Sequence, residues 1–191
     1  MKYKVILLYF IFIGLSGCVN LEVSEKNNSI AETLHKNNNL YEEYEVTGVI
    51  KFKQKENNIS SRFNYKKDKN SETIEFLDFF NNIIVAFEVT PGIIKIKNAK
   101  KNINSKALKE IINRPIFKNI IVNFSGILSG DIKDKDSIVD YKNGLYEKIK
   151  TSEYEIDYKS YNKMFLPTHL EINFLKIFFS IKISHWELQK K

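Results

Sequence analysis

With 191 residues, 43% of them hydrophobic, and a formal charge of +7, the chain has the size of one domain able to bury a core. A lone cysteine, Cys18, excludes an intramolecular disulfide, so the fold must hold by packing. Fourteen Phe and ten Tyr against seven Gly and three Pro favour strands, and lysines scattered among asparagines along the whole chain read as compositional bias, not as a nucleic-acid patch.

The chain opens with Lys2 and Lys4, an apolar run from Val5 to Leu15, and then Leu15-Ser16-Gly17-Cys18. A basic start, a short apolar stretch and small residues have the layout of a secretory signal, and the run falls short of the ~20 residues a membrane span needs. The last four residues resemble a bacterial lipobox. That resemblance implies a lipoprotein signal peptide over 1–17, a mature chain starting at Cys18, and covalent diacylglycerol and N-acyl chains on that residue. The alternative is an ordinary signal peptide with an incidental cysteine. Residues 18–40 are polar, with Lys-Asn-Asn-Asn blocks around a weakly helical Ile30–Leu34, and read as a flexible tether. The folded domain is expected over 41–191.

From Tyr44 the hydrophobic period is two. Val46, Gly48, Ile50 and Phe52 share one face, and after a turn at Glu56-Asn57-Asn58 so do Ile59, Ser61, Phe63 and Tyr65. A polar turn at Lys67–Asn70, strands over Thr73–Leu77 and Ile83–Val89, and a Pro91-Gly92 turn into Ile93–Lys97 continue an antiparallel meander. Ser105 then caps a helical pattern through Ala107, Leu108, Ile111 and Ile112 that stops before Pro115. Ile120, Ile121, Phe124, Ile127 and Leu128 form a second helical stripe ending at Gly130, and Asp131–Asp136 reads as an exposed loop. Period two returns at Leu145–Ile149, Tyr154–Tyr158, Leu170–Phe174 and Ile177–Ile183, ending at His185-Trp186. The pattern makes about nine to eleven strands with two helices between them. A sheet this large tends to curl, and the helices can cover its concave side and enclose an apolar interior.

No catalytic signature stands out. His35, His169 and His185 lie far apart and outside any HExxH or Cys/His spacing, and there is no Gly-rich phosphate loop and no GxSxG. Ser125-Gly126 sits on an apolar helical stripe, where packing is the better reading. Glu153, Glu155 and Asp157 share a strand face that reads as solvated rather than metal-binding, and His185 beside Trp186 reads as a strand-end residue satisfied by its neighbours. Asp78-Phe79-Phe80-Asn81-Asn82 falls where a hairpin should turn. Exposing two phenylalanines there forgoes about 2 kcal/mol of burial each. Either they fold back onto the core, or the strand simply runs through them, or they form a finger for a bilayer or an apolar protein mouth.

Several stretches in order resemble LolB, the outer-membrane lipoprotein receptor family of Gram-negative bacteria. They are the alternating strand from Gly48, Pro91-Gly92, Arg114-Pro115-Ile116 with the helix through Phe124 to Gly130, Tyr154–Tyr161, Leu166-Pro167 with Leu170–Ile172, and Ile181–Trp186. The family's Asn-Pro-Leu-Gly turn is replaced here by Asp78-Phe79-Phe80-Asn81, and Phe124 and Tyr65 stand where it commonly carries tryptophan.

The resemblance implies a mainly β fold with a helical insert, a curved, incomplete antiparallel β-barrel with a short helical lid over an apolar cavity. It implies a non-enzymatic receptor without cofactors, anchored in the outer membrane and facing the periplasm. Such a receptor takes acylated client lipoproteins from a LolA-like periplasmic carrier and inserts them among outer-membrane lipids. Phe79 and Phe80 would form the membrane-insertion loop. The acyl cavity would be lined by Val46, Ile50, Phe52, Phe63, Phe87, Ile156, Ile172 and Phe174, with Ile111, Ile120 and Phe124 from the lid. A monomer without nucleic-acid or metal sites is expected. The competing reading is a structural or sensory envelope lipoprotein that binds a protein or lipid with the same sheet.

Overall fold

A computed structural model describes residues 43–54, 57–91, 93–99, 114–132, 136–174 and 177–189. The expected leader and tether, Cys18, and the helix expected around Ser105 and Ile111 lie outside the described residues.

Five strands, β1 (Glu43–Gln54), β2 (Asn57–Lys67), β3 (Glu72–Leu77), β4 (Ile83–Thr90) and β5 (Ile93–Ala99), precede two short helices, α1 (Pro115–Val122) and α2 (Phe124–Ser129). Five more follow: β6 (Ile138–Lys142), β7 (Leu145–Lys150), β8 (Glu155–Tyr161), β9 (Pro167–Phe174) and β10 (Ile177–Gln189). They form one sheet in the order β5-β4-β3-β2-β1-β10-β9-β8-β7-β6, with neighbours antiparallel throughout. The meanders on either side of the helices are thus joined at the middle, where β1 pairs with β10 from Glu43↔Gln189 to Lys53↔Phe178. The result is the curved, incomplete barrel with a helical lid that the sequence led one to expect.

The curvature has local causes. Twist accumulates across ten strands, and bulges shift the register at Thr47/Gly48, Phe76/Leu77, Ala86/Phe87 and Asp140/Tyr141, each bending its strand. At the first of these β1 and β10 approach so closely that a Cβ on Gly48 would collide with the Lys182 carbonyl oxygen and the Phe63 ring. Glycine is required there for space.

Alternation puts one face of each strand inside. Phe52, Phe179, Ile172, Ile156 and Ile149 align across β1, β10, β9, β8 and β7, all buried. On the other side of β1, Val46, Tyr65, Ile74 and Phe87 form a second buried row.

Four local readings change. Asn57 and Asn58, expected in a turn, pair with Gln54 and Lys53 and belong to β2. The stripe expected as one helix is two, because Asn123 (φ −97°, ψ 11°) leaves helical geometry while its backbone and side-chain nitrogens both bond the Asn119 carbonyl. β10 runs past His185-Trp186 to Gln189 because it pairs with β1 to its start. Finally, β6 was not anticipated. It is an edge strand exposed on most of its length, so it lacks the alternation that marks a half-buried strand.

Candidate functional site

The lid is seated by its apolar face. Pro115 starts α1 with φ already suited to a first helical turn, and Ile116, Phe117, Ile120 and Ile121 are buried beneath it. Phe117 packs on Phe76 and Phe87 at 5.8 and 5.9 Å between ring centroids. In α2, Phe124 meets Phe63 edge-on at 5.6 Å and Tyr65 at 5.4 Å. Gly130, at φ 80°, closes this helix against the Tyr146 ring.

Hydrogen bonds from the sheet fasten α2. The Tyr158 hydroxyl donates to the Ile127 carbonyl (2.8 Å, buried), the Tyr44 hydroxyl meets Ser125 Oγ (3.0 Å), and Lys67 Nζ donates to the same oxygen (3.1 Å). Asn119 on α1 adds a bond to Glu153 Oε2 (2.6 Å). Burial pushes the Tyr44 phenol up to about 12 and raises that of Tyr158 as well, so both remain protonated.

The expected lining residues can now be placed. Val46, Ile50, Phe52, Phe63, Phe87, Ile120, Phe124, Ile156 and Ile172 are all buried and belong to one apolar cluster between sheet and lid, and Phe174 packs half-buried at its margin. Ile111 and Cys18 lie outside the described residues. Where the resemblance led one to expect an apolar cavity, Phe63 and Phe124 meet edge-on between sheet and helix within a packed apolar cluster.

Phe79 and Phe80 do not fold back. They are 85% and 80% exposed at the tip of the β3–β4 turn, their rings packed edge-on against each other at 5.6 Å. The turn beneath them is tightly bonded. Asp78 Oδ1 accepts from the backbone nitrogens of Phe80 and Asn82, both at 2.9 Å, Asn81 adopts φ 63°, and Arg62 Nη1 donates to Asn81 Oδ1 at 2.7 Å.

The remaining polar candidates have structural partners. Ser125 bonds Tyr44 and Lys67. Glu153 receives Asn119, while Glu155 and Asp157 flank Lys148 at 2.8 and 3.4 Å. His169 Nε2 meets Ser180 Oγ at 3.1 Å, with its pKa lowered mainly by partial burial, and the Trp186 indole donates to the Pro167 carbonyl. Among the described residues no three His, Cys, Asp or Glu are grouped to hold a metal, and no helix is long and apolar enough to cross a membrane.

Two features went unread in the sequence. Lys67 and Glu72 point to the concave side, which the alternation of Tyr65 and Ile74 would have predicted had it been carried one step further. Met164 and Phe165 form a second exposed apolar turn between β8 and β9.

A curved antiparallel sheet whose apolar face is roofed by short helices, with two aromatic rings exposed at one turn, is the architecture that carries these residues. The sequence model of the family described as outer membrane lipoprotein LolB matches residues 42–186, and the chain belongs to that family. The family is one of lipoprotein-binding carriers and receptors of the lipoprotein localisation system, not of enzymes. Comparison with individually curated sequences gives no match.

Similar solved structures include a putative outer membrane lipoprotein-sorting protein domain from Vibrio parahaemolyticus (7% identity, TM-score 0.48, covering 88% of this chain and 94% of that one). A LolA superfamily protein from Nitrosomonas europaea (10%, 0.45, 87% and 94%) and a DUF1329 family protein from Desulfovibrio piger (6%, 0.46, 86% and 92%) are also similar.

Proposed function

We propose that this protein is an outer-membrane receptor that takes acylated lipoproteins from a soluble periplasmic carrier and inserts them into the membrane that holds it. The observation that carries the insertion step is the tip. Phe79 and Phe80 are held in water on a turn bonded from below, and burying each ring is worth about 2 kcal/mol. A bilayer is the surface that offers such rings a place.

The apolar interior supports the receptor step. Acyl chains gain about 0.8 kcal/mol per buried CH₂, so they cross water only inside a shell. The cluster from Val46 to Phe174 is the acyl site in this reading, reached when α1 and α2 lift and the client's chains replace lid contacts such as Phe63–Phe124. The buried face of the lid is apolar, so the exchange is mostly apolar for apolar. No nucleotide motif is present in the sequence, and transfer runs down a gradient of affinity from carrier to receptor to bilayer.

The anchor in this reading is a lipid on Cys18. Glu43 begins β1 at the end of the sheet opposite the β3–β4 turn, so the intervening chain must reach along the domain for the tip to touch the same membrane. About 24 residues at ~3.3–3.6 Å each extend well beyond the roughly 40 Å of β1, so the tether is long enough.

In a reconstituted assay with carrier, receptor and vesicles, Phe79→Ala/Phe80→Ala is expected to accept lipoproteins normally and to deliver them poorly. Unchanged delivery would remove the tip from the mechanism. Clients held but never released by the unmodified protein would favour a sensory or structural binder with the same interior.

A further inference from the structure

The apolar concave face has one polar row. Register aligns Tyr44, Lys67, Glu72 and Val89 across β1 to β4, next to the apolar row that contains Tyr65 and Ile74. Lys67 and Glu72 continue the inward period of Tyr65 and Ile74, so a cation and a carboxylate are aimed at the lid instead of at water. Lys67 is occupied, with its Nζ on Ser125 Oγ at 3.1 Å and 5.6 Å from the centre of the Tyr44 ring.

Glu72 Oε2 and the Tyr65 hydroxyl are not: both atoms are buried and lack a hydrogen-bond partner, although Tyr65 as a residue is only 1% exposed. Tyr65 and Glu72 share the concave face one register step apart, and neither atom meets a partner in hydrogen-bond geometry. A buried donor and a buried acceptor left unpaired side by side are costly, and such groups are uncommon in folded proteins. Burial raises the pKa of each. A cleft of about 450 Å³ opens beside Glu72, with Lys67, Glu72, Val89 and Val122 among its walls, and Tyr65 lies behind it in the adjoining inner row.

We propose that Tyr65 and Glu72 form a subsite for the polar cap of an acylated ligand, the amide and ester groups that join its acyl chains to glycerol and cysteine. It rests on the reading of the interior as the acyl site and adds what recognises the end of the chains. The Tyr65 hydroxyl donates to a carbonyl oxygen of the ligand, and the Glu72 carboxylate accepts from an amide N–H. A bare hydrocarbon offers neither, so the pair makes the site distinguish a lipoprotein's modified cysteine from free alkyl chains. Phospholipid tails carry esters but no amide, and satisfy only half of the pair.

The test uses the full-length chain carrying Cys18→Ser, so that no acyl chain of its own competes. Binding of a triacylated cysteine lipopeptide and of hexadecane is measured by displacement of a fluorescent apolar probe, together with thermal unfolding without ligand. Tyr65→Phe is expected to bind the lipopeptide about tenfold more weakly, the worth of one hydrogen bond, to bind hexadecane unchanged, and to melt at the same or a higher temperature. Equal lipopeptide affinity in both proteins, or no preference for lipopeptide over hexadecane in the parent, overturns the subsite alone. A lower melting temperature with equal losses for both probes also overturns it, assigning Tyr65 an internal bond to Glu72. Failure of either protein to bind either probe overturns the acyl-site reading, and the subsite with it.

Discussion

In the β3–β4 turn, Asp78 Oδ1 accepts the backbone N–H groups of Phe80 and Asn82, the Asp78 amide bonds the Asn82 carbonyl, and the fourth residue, Asn81, sits at φ 63°. The β8–β9 turn has the same plan. Asn162 Oδ1 accepts from Met164 and Leu166, its amide bonds the Leu166 carbonyl, and the fourth residue, Phe165, sits at φ 60°. These five-residue loops lie at opposite ends of the sheet, the first carrying two apolar side chains, Phe79 and Phe80, and the second three, Met164, Phe165 and Leu166.

What separates them is the support beyond the loop. The β8–β9 turn runs straight into buried Leu166 and into Pro167, whose carbonyl holds the Trp186 indole, and its Met164 and Phe165 are about half exposed. The β3–β4 turn is followed by exposed Asn82, and its phenylalanines are almost wholly in solvent. The loop geometry needs an Asx residue at its start and a residue tolerant of left-handed backbone at its fourth position. It does not need two phenylalanines at the tip, which is why their presence calls for a function.

That contrast can be broken at several points. The largest effect is expected from Phe79→Ala/Phe80→Ala, which should lower vesicle binding or delivery at least about tenfold, since two buried rings are worth several kcal/mol. Met164→Ala/Phe165→Ala in the same vesicle assay should leave it unchanged, and equal losses would erase the distinction between the ends.

Removing the shared acceptor comes next. Asp78→Ala and Asn162→Ala should each cost about 1–2 kcal/mol in chemical unfolding, because two backbone donors lose their partner in either loop. Phe165→Gly should then recover about 1 kcal/mol of left-handed strain, whereas Asn81→Gly should be close to neutral, asparagine being at ease there.

The smallest effect concerns the inner row at the β8–β9 end. Burial raises the Glu72 pKa above 4.5, so the native state holds that proton longer than the unfolded chain does. The resulting stabilisation is complete below the unfolded value and fades as pH rises through the folded one. Glu72→Gln should flatten this slope in urea midpoints measured from pH 4 to pH 8.

Most inner-face residues were legible because burial on one side of a strand writes itself as period two. Val46, Phe63, Ile156 and Ile172 were read that way, and all four are buried. β6 escaped because an edge strand with Ile138 63% exposed has no buried face to write, although Asn143-Gly144, at φ 53° and 76°, is the turn dipeptide that marks a two-residue hairpin. The break between α1 and α2 escaped because apolar spacing continues through Asn123, while the competing bond to Asn119 is visible only in three dimensions. Lys67 reads as part of the polar turn Lys67–Asn70, since charge in a turn ordinarily means solvent, and Glu72 falls between that turn and the strand read from Thr73.

The amino-acid sequence by itself determined the strand faces, the apolar stripes of the lid, the turn that carries Phe79-Phe80, and the run ending in Cys18. Each is a property of neighbouring residues, and a local period needs nothing distant to be read. Only the tertiary structure decided that β1 pairs with β10, that the two phenylalanines stand in solvent, and that the Tyr65 hydroxyl and Glu72 Oε2 are buried without a partner. Pairing, exposure and unsatisfied polar groups depend on which residues far apart in the chain come to share space, and a one-dimensional pattern does not record that.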